Sequence, residues 1–80
     1  MREEQIIQCG KAIAEAIKAR RETLGLSMNA LAQKAGISIQ SVSFIETAVN
    51  SPSLSTFMRI CAALDVSPDC LLRDALENVG

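Results

Sequence analysis

The chain has 80 residues, 49% hydrophobic and 21% charged, with a formal net charge of −1, three Cys and no His. That composition excludes disorder, low complexity and collagen, and the missing imidazole excludes histidine catalysis, histidine pH switching and zinc sites of the Cys/His kind. The longest uncharged run, residues 47–58, is half polar and far shorter than the ~20 apolar residues a membrane span needs.

No basic segment followed by an apolar run opens the chain, so no signal peptide is expected. An odd number of cysteines without metal-ligand spacing points to a reducing cytoplasm and to no bound metal. Strand signals are missing, with no sustained alternation and no Asn-Gly or Asp-Gly turn. The expected class is therefore all-α, a compact five-helix bundle in one domain over residues 1–80.

The first helix is expected over 4–24, on the apolar or small stripe Ile6, Gly10, Ile13, Ile17 and Leu24. Gly25 supplies its left-handed cap. Three Ser punctuations follow, Leu26-Ser27, Ile37-Ser38 and Val66-Ser67, each with an apolar residue four positions on. Each Ser can accept a bond from an orphan N–H while the flanking apolar pair staples the turn. Ser53 is a fourth cap, and Pro68 at a first helical position supports the last helix. The remaining helices are expected over 28–35, 39–47, 54–64 and 68–78. The inward stripe of the fourth is Leu54, Phe57, Met58, Cys61 and Leu64. Cys61 and Cys70 both fall on apolar stripes and are expected as inert core thiols.

The segment 27–47 carries the function. Two short helices flank Ala35-Gly36-Ile37-Ser38, where Gly36 can take the positive φ of a sharp turn. Leu31, Ile37, Val42 and Ile45 face inward, and Ala32 and Ala35 allow a close crossing. Helix, tight turn and second helix form the layout that lets the second helix enter a major groove. Arg21 interrupts the apolar stripe of the first helix, and Glu46 lies beside that of the third. A charge facing a core must be paired, and the planar fork of Arg suits a carboxylate. The two are expected to meet and to pin the third helix to the first.

The set Gly25-Leu26-Ser27, Leu31-Ala32, Gly36-Ile37-Ser38, Ile45-Glu46, Pro52-Ser53-Leu54 and Ala63-Leu64, in this order, resembles the phage repressor and Cro family of helix-turn-helix proteins. The resemblance spans about residues 13–76, leaving 1–12 as an N-terminal extension of the first helix. It implies a lambda-repressor-like fold, the same Arg21–Glu46 pair, and a transcriptional regulator that binds operator DNA as a homodimer with helix 39–47 in the major groove. DNA contact would then fall on Ser27, Met28, Lys34, Ser38, Ile39, Gln40, Ser41, Ser43, Phe44, Thr47 and Asn50. Gln40 can make a bidentate contact to adenine, whereas Ile39 and Phe44 offer only apolar contact such as to a thymine methyl.

Three departures bear on that reading. Met28 stands where the family commonly has a phosphate-touching Gln. Thr47-Ala48 replaces a usual Asn-Gly or Arg-Gly. Residues 23–58 carry only Lys34 and Glu46 as charges, although Lys11, Lys18 and Arg20 can flank the motif. Cations that displace counterions dominate affinity for DNA, so about one to three phosphate contacts per subunit imply weak binding with a shallow salt dependence. If Met28, Ile39, Phe44 and Val49 are exposed together they form an apolar patch, which marks protein contacts. The alternative function is accordingly a scaffold that binds a protein, as an antitoxin-like or adaptor subunit. Leu72, Leu76 and Val79 of the last helix are the expected dimer contacts. No nucleophile–base pair, metal cluster or phosphate-cradling loop points to an enzyme, and no cofactor is expected.

Overall fold

Four serines precede helices, and three of them cap through the side chain. In a computed structural model, which describes residues 1–77 and 79, Ser27 Oγ accepts from the N–H of Ala30, Ser38 Oγ from Ser41 and Ser53 Oγ from Thr56. The helices are α1 (Glu3–Thr23), α2 (Met28–Ala35), α3 (Ile39–Glu46), α4 (Leu54–Ala63) and α5 (Pro68–Leu76). No strand occurs among the described residues. The expected bounds hold to within one or two residues, and position 78 of the expected last helix lies outside the described residues. Ser67 differs from its counterparts, because its side chain makes no cap bond and Pro68 begins the helix. Hydrogen bonding from Ser67 and from the N–H groups of Asp69 and Cys70 holds the Asp69 carboxyl below its ordinary pKa.

Four helices end the same way, with a left-handed residue one or two positions past the last helical residue. Gly25 (φ 70°), Gly36 (φ 71°), Ala48 (φ 60°) and Asp65 (φ 53°) follow α1, α2, α3 and α4. At each end a following N–H reaches back to a late carbonyl of the helix, as in Leu26 to Arg21, Ile37 to Ala32, Val49 to Phe44 and Val66 to Cys61. Two of these positions are glycine, for which the conformation is unstrained. Ala48 and Asp65 hold it against the steric preference of an L-residue.

The core gathers one face of every helix: Ile17, Leu31, Ala32, Ala35, Val42, Ile45, Phe57, Ile60, Cys61, Leu64 and Leu71. α1 runs along α5 and touches α3, while α2 packs on α3 and α4. The molecule measures 35 × 21 × 20 Å, its length set by α1. Three expectations are corrected here. Leu54 and Met58 are exposed rather than inward, because the covered face of α4 is Phe57, Ile60 and Cys61, continued by Leu64 at its cap, and Met58 lies off it. Cys70 is exposed, since Leu71 beside it is the residue of α5 that enters the core. Ile6 and Leu24, at the two ends of the expected stripe, are exposed, and the stripe is covered only in its middle, at Ile13 and Ile17.

Candidate nucleic-acid interface

α3 is built to show one face and hide the other. Val42, Ile45 and Glu46 are buried, while Ile39, Gln40 and Phe44 are exposed. The buried side carries a charge that the fold must satisfy. Arg21 Nε donates to Glu46 Oε2 at 2.7 Å and Nη2 donates to Oε1 at 3.0 Å. The remaining guanidinium nitrogen, Nη1, donates to the carbonyl of Leu26 at 2.8 Å. Both side chains are almost fully covered, and among the described residues no buried side-chain polar atom is left without a partner. The carboxylate of Glu46 pushes the Arg21 pKa up further, so the guanidinium stays charged despite its burial. The pair therefore ties α1, the α1–α2 turn and the end of α3 together, and fixes how α3 presents its outer face.

The expected contact residues divide into several groups on the structure. Gln40, Ile39 and Phe44 project from α3. Lys34 is exposed in the last turn of α2, and Asn50 is exposed in the loop after α3. Ser27 and Ser38 spend their hydroxyl oxygens on capping, and Ser38 Oγ also donates to Ser41 Oγ at 2.8 Å. Ser43 is half-buried. Thr47 Oγ1 turns back and donates to the Ser43 carbonyl at 2.8 Å, so donation outward to a phosphate requires that bond to break. Met28 packs partly on the core. The apolar part of the outer face is therefore Ile39, Phe44 and Val49 without Met28.

The flanking cations are distributed differently from the expectation. Arg20 Nε and Nη2 donate to the carbonyls of Leu64 and Asp65, both at 3.1 Å, and so close the end of α4 instead of flanking the motif. Lys11 lines a groove formed by α1, α4 and the loop after α3. Lys18 is exposed on α1. Arg59 was not foreseen near the motif. A Cβ placed on Gly36 would lie 3.6 Å from its Nη1, which sets this cation beside the C-terminal end of α2, where the helix dipole favours it. Nothing in local sequence announces that approach, because it depends on how α4 crosses α2. Leu72 packs on the core and lines the same groove, while Leu76 and Val79 are half-buried. No group of metal-ligating residues occurs among the described residues, and none of their helices is long and apolar enough to cross a membrane.

A helix-turn-helix family model matches residues 17–69, about two thirds of the chain. No curated protein matches it. Among solved structures, the fold is similar to that of the restriction-modification controller protein C.AhdI from Aeromonas hydrophila. The TM-score is 0.74 and the identity 26%, over 76% of this chain and 92% of that one. It is also similar to the clp gene regulator ClgR from C. glutamicum, with a TM-score of 0.82 and 22% identity over 90% of this chain and 94% of that one. The second likeness is one of fold alone.

Proposed function

This chain belongs to the helix-turn-helix family of the Cro and phage-repressor type, a family of DNA-binding regulators and not of enzymes, and on that premise we propose that it binds operator DNA as a homodimer in the cytoplasm, with α3 in the major groove. The observation that carries this reading is the division of α3. Its buried side is locked by Arg21 and Glu46, and its free side offers Gln40 flanked by Ile39 and Phe44. Gln40 has the amide geometry for the N6 and N7 edge of adenine, and the two apolar side chains suit thymine methyls. The N-terminal N–H groups of α2 and α3 add partial positive charge toward phosphate, and Lys34 adds a full one. Two copies set one DNA turn apart, about 34 Å, double every contact.

The test is a titration of labelled DNA fragments at several salt concentrations, with the triple substitution Ile39→Ala, Gln40→Ala and Phe44→Ala as comparison. Retention of a specific fragment by the natural chain, lost in the triple variant, is the expected result. A second reading has one observation of its own. Ile39, Phe44 and Val49 are apolar and exposed on a face with few cations, the composition of a surface that meets protein. If no genomic fragment is retained even at low salt, while the chain captures one protein in a fixed ratio through Phe44, the scaffold role replaces the regulator role.

A further inference from the structure

We propose that a second copy of this chain seats in the groove between the N-terminal half of α1 and the start of α4, the two α1 helices crossing antiparallel about a two-fold axis at Ile7. The proposal rests on the homodimer above and supplies its seam. The groove encloses about 600 Å³ and has Ile17 and Phe57 in its lining. Ile6, Ile7 and Leu54 also line it, exposed by 49%, 51% and 77%, so its apolar walls stand open to water. Leu72 of α5, packed partly on the core, lines it too.

Gly10 is the first sign of a close neighbour. It lies inside α1, where glycine weakens a helix. A Cβ added there would meet nothing within 4 Å. The fold of one chain therefore has no steric need for glycine at this position. On the wall of an apolar groove, a missing side chain allows another helix to approach the α1 backbone.

Charge identifies the occupant as the same chain. Glu3, Ile7 and Lys11 follow one another at intervals of four, so they share one edge of α1. An acid stands four residues before Ile7 and a base four residues after it. An isologous contact joins a surface patch to itself in reverse. With the two-fold axis at Ile7, Glu3 of each copy faces Lys11 of the other, and the isoleucines meet at the centre. Among the described residues neither Glu3 nor Lys11 has an ion-pair partner within its own chain. A small apolar ligand would fill the floor of the groove and leave this antisymmetric edge unused.

The experiment is sedimentation of the full chain across a concentration series, with circular dichroism to verify folding. Lys11→Glu and Glu3→Lys, each alone, are expected to raise the dimer dissociation constant at least about tenfold by placing like charges together. The double variant Glu3→Lys with Lys11→Glu is expected to return it to within a few-fold of the natural chain. Ile7→Asp, at a half-exposed position, is expected to leave a folded monomer. If all of these variants dimerise as the natural chain does, or if the exchanged pair fails to recover, the seam lies elsewhere and the inference falls while the homodimer stands. If the natural chain remains monomeric both free and on DNA, the homodimer falls as well. A natural chain that stays monomeric and binds an apolar dye in the groove overturns the inference in favour of a small ligand.

Discussion

Arg21 and Glu46, separated by 25 residues in sequence, hold each other by two parallel hydrogen bonds of 2.7 and 3.0 Å in the interior of the molecule. Arg21 interrupts the apolar stripe of α1 and Glu46 closes α3, so the pair fixes the angle of α3 against the longest element. Replacing the pair by apolar residues preserves packing, whereas removing one partner strands a buried charge.

Glu46→Gln or Arg21→Ala is therefore expected to cost roughly 3–5 kcal/mol. A domain of this size has about 4–12 kcal/mol in total, taking roughly 0.05–0.15 kcal/mol per residue. Either variant should lose a large fraction of that total, read as a lower urea midpoint by circular dichroism. The joint replacement Arg21→Met with Glu46→Leu should recover most of the loss. A single variant as stable as the natural chain would show that the tether is dispensable.

Ala48 holds φ 60° after α3, where a glycine would be unstrained. Ala48→Gly is expected to stabilise the fold by about 1 kcal/mol, a gain limited by the greater freedom of glycine in the unfolded chain. Gly36→Ala should do the reverse by about the same amount. The added methyl meets only an ordinary contact with Arg59, so the penalty there is conformational. Thermal midpoints of the two variants should move in opposite directions.

Arg20 and Lys34 should separate stability from DNA affinity. Arg20 serves the carbonyls that end α4, so Arg20→Ala is expected to cost about 1–2 kcal/mol in urea unfolding and to leave the salt dependence of DNA binding unchanged. Lys34→Ala is expected to leave stability unchanged and to make the slope of log affinity against log salt shallower by about one. Equal effects of the two variants on the slope would return Arg20 to the interface.

Burial pushes the Cys61 thiol above its ordinary pKa. Native protein therefore keeps that proton at a pH where unfolded protein releases it, and stability should fall as pH rises beyond the ordinary thiol value, about 8.5. Below that pH both states are protonated and Cys61 contributes no slope. In a thiol-reagent assay Cys9 and Cys70 should react in the folded protein and Cys61 only on unfolding. Prompt reaction of all three would contradict the burial.

Much of the scaffold was legible because its cues are local. Ser27, Ser38 and Ser53 announce helix starts by the geometry of one hydroxyl and one N–H, and Gly25 and Gly36 announce ends by a φ that they take without strain. The helices before Ala48 and Asp65 end on the same backbone without a glycine, so the left-handed residue there carries no local cue. Cys70 and Leu54 were misplaced because periodicity gives the phase of a helix face and says nothing of what covers its edges. Arg20 is expected beside the motif but closes α4 instead, because its acceptors, Leu64 and Asp65, lie more than forty residues away.

The amino-acid sequence by itself determined the five helices, the tight turn at Gly36 and the need of Arg21 for a carboxylate, since each follows from spacing or from the cost of burying a charge. Only the tertiary structure decided that Phe44 and Ile39 stay in water, that Arg59 comes beside α2, and that Ile6, Ile7 and Leu54 border an open groove. Those outcomes depend on how distant helices cross, and solvent exposure is a property of that crossing rather than of any segment.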